Sequence, residues 1–360
     1  MASPPPPGSL SATAAEPTPT AVAAPAPASA PVPVNLEADD VEALLDDGDS
    51  ALGSEPGSST TSLASSITRY RIENGRTYHA YKDGKYAYPN DDMEQERLDL
   101  QHHLCTITLN GRLFTAPIDA DKLERVLDVG CGTGIWTTDF ADEYPQATVL
   151  GIDLSPIQPM FVPPNAVFQV DDLEEEWNFA DGDKFDFIHT RMMTGGIQDW
   201  DRFFEQAFEN LKPGGYIEVI DILLPPTSAD GTLKPNSPLL KWANLLLKGS
   251  ILAGRNLDSA LTYTEKLSKV GFQGINETIH KWPGNRWPKD PKAKELGMWH
   301  LENMSSGLMG ISLALFTRVL GWSVEELEVF LVDVRKDMKD TSIHAYWPIH
   351  VIYAHRPLHA

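Results

Sequence analysis

From Arg125 onward the chain alternates short apolar runs with stretches in which apolar residues recur every three or four positions. The runs RVLDVG, TVLGIDL, VFQVDD, FDFIHT and GYIEVID each predict a strand. Between them WTTDFADEY and DRFFEQAFENL predict helices. In the second, Phe203, Phe204, Ala207, Phe208 and Leu211 repeat with the helical period and form a core-facing stripe. Such alternation builds βαβ units, so the expected fold is α/β, a doubly wound, mainly parallel sheet with helices on both faces. Past Asp221 the pattern turns helical, in LLKWANLLLKGSILAG, in YTEKLSKVGF and in a long stretch from about Pro291 to Met338. INETIHKW and HAYWPIHVIYAHRP are late strand candidates that bring the sheet to seven strands. The late helices have no part in winding the sheet, so they predict an added cover over its carboxyl edge, where ligands bind in such folds.

Residues 1–66 break the pattern. They hold no Lys or Arg, nine acids and eleven of the 28 prolines, with Ala, Ser and Thr filling much of the rest. Such a segment buries too little apolar surface to offset its ordering entropy, and a disordered tail is expected. Within it, NLEADDVEALLDDGDS places Leu36, Val41, Leu44 and Leu45 near one helical face. Two readings stay open for that segment, a helix that docks a regulatory protein partner and a solvated acidic run. Residues 67–360 then form the folded domain, with a cap over 67–124, a ligand-binding core over 125–222, a substrate cover with late strands over 223–345, and the final strand and C-terminus over 346–360.

The formal net charge of −22, of which −13 remains on residues 67–360, argues against nucleic acid and anionic membranes as partners. Of the two cysteines, Cys105 and Cys131, the second lies in a glycine turn where a disulfide would obstruct a ligand, so a reducing compartment is expected. The first residues carry neither a positive leader nor an unbroken apolar run. A cytoplasmic protein is the expectation, with a nuclear one left open.

The turn itself, VLDVGCGTG, puts Gly130, Gly132 and Gly134 directly after a strand. Glycines there let the backbone approach a ligand and bend sharply into a helix. The Gly-x-Gly-x-Gly spacing lacks the last glycine of the dinucleotide fingerprint, and Ile135-Trp136 stands where a phosphate loop carries Lys-Ser/Thr. A nucleoside without pyrophosphate suits it better. Asp153, nineteen residues after Gly134, ends the second strand, where a carboxylate can accept hydrogen bonds from both ribose hydroxyls. Asp171 and Asp172 end the third, where an adenine amino group could be bound.

VLDVGCGTG, GIDLSP, VDDLEEEW and LKPGGYIEV, in this order and spacing, resemble the class I S-adenosylmethionine-dependent methyltransferases over about residues 124–222. ENGRTYHAYKDGKYAYPNDDMEQERLDLQHHL, GTGIWTTDFADEYPQATVLGIDLSPIQP, FDFIHTR and HAYWPIHVIYAHRP extend the likeness over residues 70–357. They are similar to the fungal LaeA-like methyltransferases, a family of secondary-metabolism regulators and natural-product tailoring enzymes. The resemblance implies S-adenosyl-L-methionine as cofactor. Gly130, Gly132 and Gly134 would lie against its methionine part, with Asp128 holding the amino group. Asp153, with Leu154 beside it, would bind the ribose, and Asp171, Asp172 and Leu173 would surround the adenine. His189 and Arg191 would face the sulfonium as the catalytic pair. The segment with Tyr78, Tyr81, Tyr86 and Tyr88 would close as a lid, Tyr78 touching the cofactor.

Methyl transfer from an activated sulfonium mainly needs alignment in a dry site, and a general base helps when the acceptor is a hydroxyl or a protonated amine. His189, Glu218, Asp221 and His300 are the candidates for that base. HTRMMTGG follows the fourth strand in place of NPPY or DPPY, which disfavours methylation of nucleic acid or of glutamine. Trp242, Trp282, Trp287, Trp299 and Met304 supply apolar surface for an acceptor pocket. No metal is expected, since the clustered acids already serve sugar and base. Two functions follow, a methyltransferase acting on a small molecule of fungal secondary metabolism and, as the alternative, a LaeA-like nuclear regulator of gene expression.

Overall fold

The computed structural model describes residues 69–359 together with Met1. The rest of the predicted tail, including the 36–49 segment, lies outside the described residues.

A short hairpin, β1 (Arg71–Glu73) and β2 (Arg76–Tyr78), turns at Asn74 and Gly75, both at positive φ as a two-residue Asn-Gly turn requires. A loop leads to α1 (Asp92–Thr108), capped by Asp91, which accepts from Glu94 N at 3.1 Å. The same carboxylate accepts from Arg76 Nη2 at 2.7 Å, tying hairpin to helix.

The main sheet has seven strands in the order β5-β4-β3-β6-β7-β9-β8. They are β3 (Arg125–Val129), β4 (Thr148–Asp153), β5 (Ala166–Val170), β6 (Phe185–Arg191), β7 (Leu211–Ile222), β8 (Gln273–Pro283) and β9 (Tyr346–His355). Every pairing is parallel except those made by β9, so the sheet is mainly parallel, as expected. The strand order reverses between β3 and β6, which leaves a crevice beyond their carboxyl ends.

Alternating side chains hold helices to opposite faces of this sheet. Val126, Val149 and Phe187 pack under α2 (Ile135–Glu143), through Trp136 and Phe140. Leu127, Val129, Ile188 and Ile217 face α3 (Trp200–Asn210) and α5 (Tyr263–Val270), through Phe203, Phe204, Tyr263 and Leu267. The late helices form a cover with a core of its own, in which Trp242 and Leu246 of α4 (Pro238–Leu252) and Leu308 of α6 (Pro291–Ala314) pack against Leu327 and Leu331 of α7 (Val324–Lys339).

Two expected elements differ in detail. The helical stretch from Pro291 breaks after Ala314 into a π-helical turn, Leu315–Val319, and Gly321 at φ +74° ends it. Ser323 and Glu326 then start α7 with a reciprocal capping box, a local signal that the apolar periodicity hides. The last parallel strand begins at Leu211 rather than Gly215, because Arg356 pins this stretch, its guanidinium donating to the Leu211 carbonyl at 2.8 Å.

Candidate active site

One cavity opens at the β3/β6 crevice, and it is walled by the glycine turn, the ends of β4 to β6, the loop before α1, α1 itself and the helical cover.

All three turn glycines sit in the left-handed region, with φ of 70° at Gly130, 56° at Gly132 and 78° at Gly134. Gly130 and Gly132 line the cavity. A Cβ on Gly130 would collide with the Met193 thioether, and one on Gly132 would come within 3.4 Å of Leu98 in α1. Gly134 is placed differently from its two neighbours. It lies off the cavity and starts α2, where a side chain would strike Phe168.

Asp153 holds the turn in shape: Gly132 N donates to its Oδ2 and Ser155 N to its Oδ1, both at 2.9 Å. Burial raises its pKa, and these two amides pull the other way. Leu154, Asp171, Asp172 and Leu173 line the same wall. Asp172 is already engaged, in an ion pair with Lys85 and as acceptor from Glu174 N at 3.0 Å. Lys85 belongs to the loop between the hairpin and α1, so this pair clasps the loop over the cavity.

The lid reading therefore divides. Tyr86 and Tyr88, ring centroids 5.1 Å apart and perpendicular, line the cavity, whereas Tyr81 does not. Tyr78, expected against the cofactor, is also off it. Its buried ring takes Arg318 at 4.7 Å and Arg71 at 5.4 Å, so cation–π packing of the hairpin claims it.

Asp128 and His189 are register partners on β3 and β6, and both line the cavity. His189 Nδ1 lies 2.9 Å from Asp128 Oδ1, and Thr137 Oγ1 donates to Asp128 Oδ2 at 2.7 Å. Asp128 accepts only, so Nδ1 carries the proton and Nε2 the lone pair. That Nε2 is buried with no hydrogen-bond partner. Trp136 stacks on the ring at 3.8 Å and 5°. Burial lowers the His189 pKa more than Asp128 raises it, so the imidazole is neutral. Arg191 lines the cavity two residues on, its Nη2 3.1 Å from His102 Nδ1. Burial and the nearby Arg191 push His102 down to about 3, so the guanidinium donates to a neutral ring that Asp139 holds from its other side at 3.0 Å.

The other base candidates lie outside the cavity lining. Glu218, beside His189 in register, accepts from Thr115 N, Thr115 Oγ1 and Ala116 N, each at 2.7 Å, and burial raises it to about 7. Asp221 accepts from Thr194 N and Tyr263 Oη, which anchors the loop after β6. His300 is packed between Trp282 and Trp347, with its Nδ1 on the Pro283 carbonyl.

The far half of the cavity is apolar. Trp242 and Met304 line it as expected, joined by Ile222, Leu224, Leu257 and Trp347, while Trp282, Trp287 and Trp299 are elsewhere. Trp282 and Trp287 spend their N–H groups on Thr108 Oγ1 and the Ala345 carbonyl. Sequence reading missed Arg97, Glu94 and Asn303, which form one buried cluster in the cavity wall. Arg97 meets Glu94 through Nε at 3.0 Å and Nη2 at 2.7 Å, and Asn303 Oδ1 through Nη1 at 3.1 Å.

A family profile described as a methyltransferase domain matches residues 100–277. The Aspergillus terreus protein named methyltransferase pytC is 42% identical over 301 residues, 83% of this chain and 92% of that protein. The chain belongs to the LaeA-like family of S-adenosylmethionine-dependent methyltransferases. A second relative in this family, secondary metabolism regulator LAE1 of Cochliobolus heterostrophus, is 39% identical over 79% of this chain and 94% of its own length. Probable methyltransferase tdiE of Emericella nidulans is 34% identical over 82% of this chain and 92% of its own. Among the described residues no helix is long and apolar enough to cross a membrane.

The donor set fits the cofactor of a LaeA-like methyltransferase. Asp128, Asp153, Asp171, Asp172 and Glu174 outnumber Lys85 and Arg191 along the near wall, a field that favours a sulfonium cation. Gly130 and Gly132 present backbone and no side chain to the cavity, so a ligand can lie close to the turn.

Proposed function

We propose that this protein methylates a small molecule of fungal secondary metabolism, with the near half of the cavity holding S-adenosylmethionine and the apolar half the acceptor. The observation that carries this reading is the meeting, in one cavity, of the glycine turn, the three strand-end acids and a separate wall of tryptophan, methionine and leucine. Gly130 and Gly132 would lie against the methionine part, Asp153 would take the ribose hydroxyls, and Asp171 with Leu173 would border the adenine. Arg191, whose guanidinium meets a neutral imidazole, suits the carboxylate of the cofactor's methionine. When bound, the cofactor supplies an activated methyl group.

The chain's own part is alignment, exclusion of water and movement of one proton. Tyr86, Tyr88 and the Lys85–Asp172 clasp close the mouth, and Trp136 holds the His189 ring flat. Asp128 fixes the tautomer that leaves Nε2 free to accept the proton of a hydroxyl acceptor. Titration calorimetry of the full chain with S-adenosylmethionine is the test. Micromolar binding, weakened about 100-fold or more in Asp153→Ala, is expected, since that carboxylate serves both ligand and turn. A natural chain that binds no S-adenosylmethionine removes the reading.

A second reading, a regulator of gene expression, is favoured by one observation, the 39% identity to a protein named a secondary metabolism regulator. It does not exclude the first.

A further inference from the structure

The apolar half of the cavity carries hydrogen-bond donors that the protein itself leaves unspent. Trp347, on β9, lines the cavity and is buried, yet its Nε1 has no hydrogen-bond partner. A buried N–H left unpaired costs about 1–3 kcal/mol, and of the three indoles so left, Trp200, Trp299 and Trp347, it is Trp347 that lines this cavity. Trp242, its neighbour in the lining, gives its own Nε1–H to Ser312 at 2.8 Å, so the cover is able to satisfy an indole. Arg97 offers the same surplus. Of the five N–H groups of a guanidinium, Glu94 and Asn303 take three, which leaves two. Its charge is matched by Glu94 at close range, so this part of the wall has polar reach without net charge.

Both donors meet α6, Trp347 from β9 and Arg97 from α1. On α6, His300 packs perpendicular to the Trp347 ring at 4.8 Å, Asn303 accepts from Arg97, and Gly307 has no Cβ because the Arg97 stem lies there. Three to seven helical positions separate these contacts, about 5–10 Å along the axis. Met304, Trp242, Leu257 and Leu224 line the same cavity and belong to one apolar cluster.

We infer that the methyl acceptor is an uncharged, largely apolar molecule carrying hydroxyl or carbonyl oxygens, which accept hydrogen bonds from the Trp347 indole N–H and from the free N–H groups of Arg97. The inference rests on the methyltransferase reading and adds the substrate class and two specificity-determining residues. An apolar pocket by itself discriminates weakly, whereas buried donors without partners reject a molecule that lacks the matching oxygen.

The test uses three probes of one shape, naphthalene, 2,6-dihydroxynaphthalene and 6-hydroxy-2-naphthoate, titrated by tryptophan fluorescence into the full chain saturated with S-adenosylhomocysteine. The diol is expected to bind at least about tenfold more tightly than the hydrocarbon and the anion. Trp347→Phe removes an N–H that bonds nothing in the protein, so the variant should fold, and it should lose about fivefold in affinity for the diol while binding naphthalene as before. Arg97→Lys, which keeps the charge facing Glu94, should narrow the same preference if Trp347→Phe proves unstable. Naphthalene within threefold of the diol, a preference for the anion, or an unchanged preference in both variants overturns the inference. So does a chain that binds S-adenosylmethionine and none of the probes. A chain that fails to bind S-adenosylmethionine at all defeats the underlying reading instead, which keeps the two failures apart.

Discussion

The two halves of the cavity are built in different ways. The near half is made by backbone at the carboxyl ends of adjacent parallel strands, where the Gly130–Gly132 turn and Asp153 hold one another within a stretch of 24 residues. The far half is made by side chains from α1, α4, α6, β7 and β9, brought together across as many as 206 positions in the Arg97–Asn303 contact. A ligand shared by a whole family can be met by a backbone device, while an acceptor peculiar to one member needs surfaces that change without disturbing the sheet.

His189 stands at the border, and its removal tests the contrast most severely. His189→Gln is expected to lower turnover of a hydroxyl acceptor by about 10²–10⁴, with S-adenosylmethionine affinity by calorimetry within about threefold of the natural chain. A comparable loss of cofactor affinity would assign His189 to the near half as a structural group.

Glu218 sharpens the comparison beneath the near half. Its folded pKa of about 7 exceeds the ordinary 4.5, so the folded state holds a proton that the unfolded chain has released. Below pH 4.5 both states are protonated and the group costs nothing. Stability is lost as pH rises from there to about 7, by about 3 kcal/mol in all. Glu218→Gln, whose amide oxygen can keep the bonds from Thr115 and Ala116, should exceed the natural chain in stability by about 2–3 kcal/mol at pH 8 and match it at pH 4 in urea melts. Equal curves at both pH values would mean that the carboxylate is ionised within the fold.

The smallest effect belongs to the clasp. Lys85→Met unties Asp172 from the loop, and stopped-flow should show cofactor release quickened about threefold, the worth of a partly exposed ion pair. Slower release would mean that Asp172, once freed, grips the adenine more strongly than the clasp holds the loop.

Legibility in the sequence follows the same division. The sheet, its order-reversing crevice and the Gly130–Asp153 pair are local, written in strand-length apolar runs and in glycines that φ between 56° and 78° demands. Gly134 and Tyr78 show the limit of that reading. A glycine at left-handed φ serves a helix start as readily as a ligand, and a tyrosine flanked by guanidiniums is spoken for by packing. Arg97, Asn303 and Trp347 left no trace, because nothing in DMEQERLDL, WHLENMS or YWPIHV marks them as neighbours. The π-helical turn after Ala314 was hidden as well, since apolar residues continue through it without a break.

Gly307 and Gly310 set how closely the roof settles on its support. Side chains at these positions would strike Arg97 and Arg76, so α6 presses directly onto α1 and the hairpin without a cushion of methyl groups between them. Helices joined that closely, and bolted by a buried guanidinium, make a wall with little slack. The short strap that carries Lys85, Tyr86 and Tyr88 is neither helix nor strand, so it is the part of the cavity wall that costs least to rearrange.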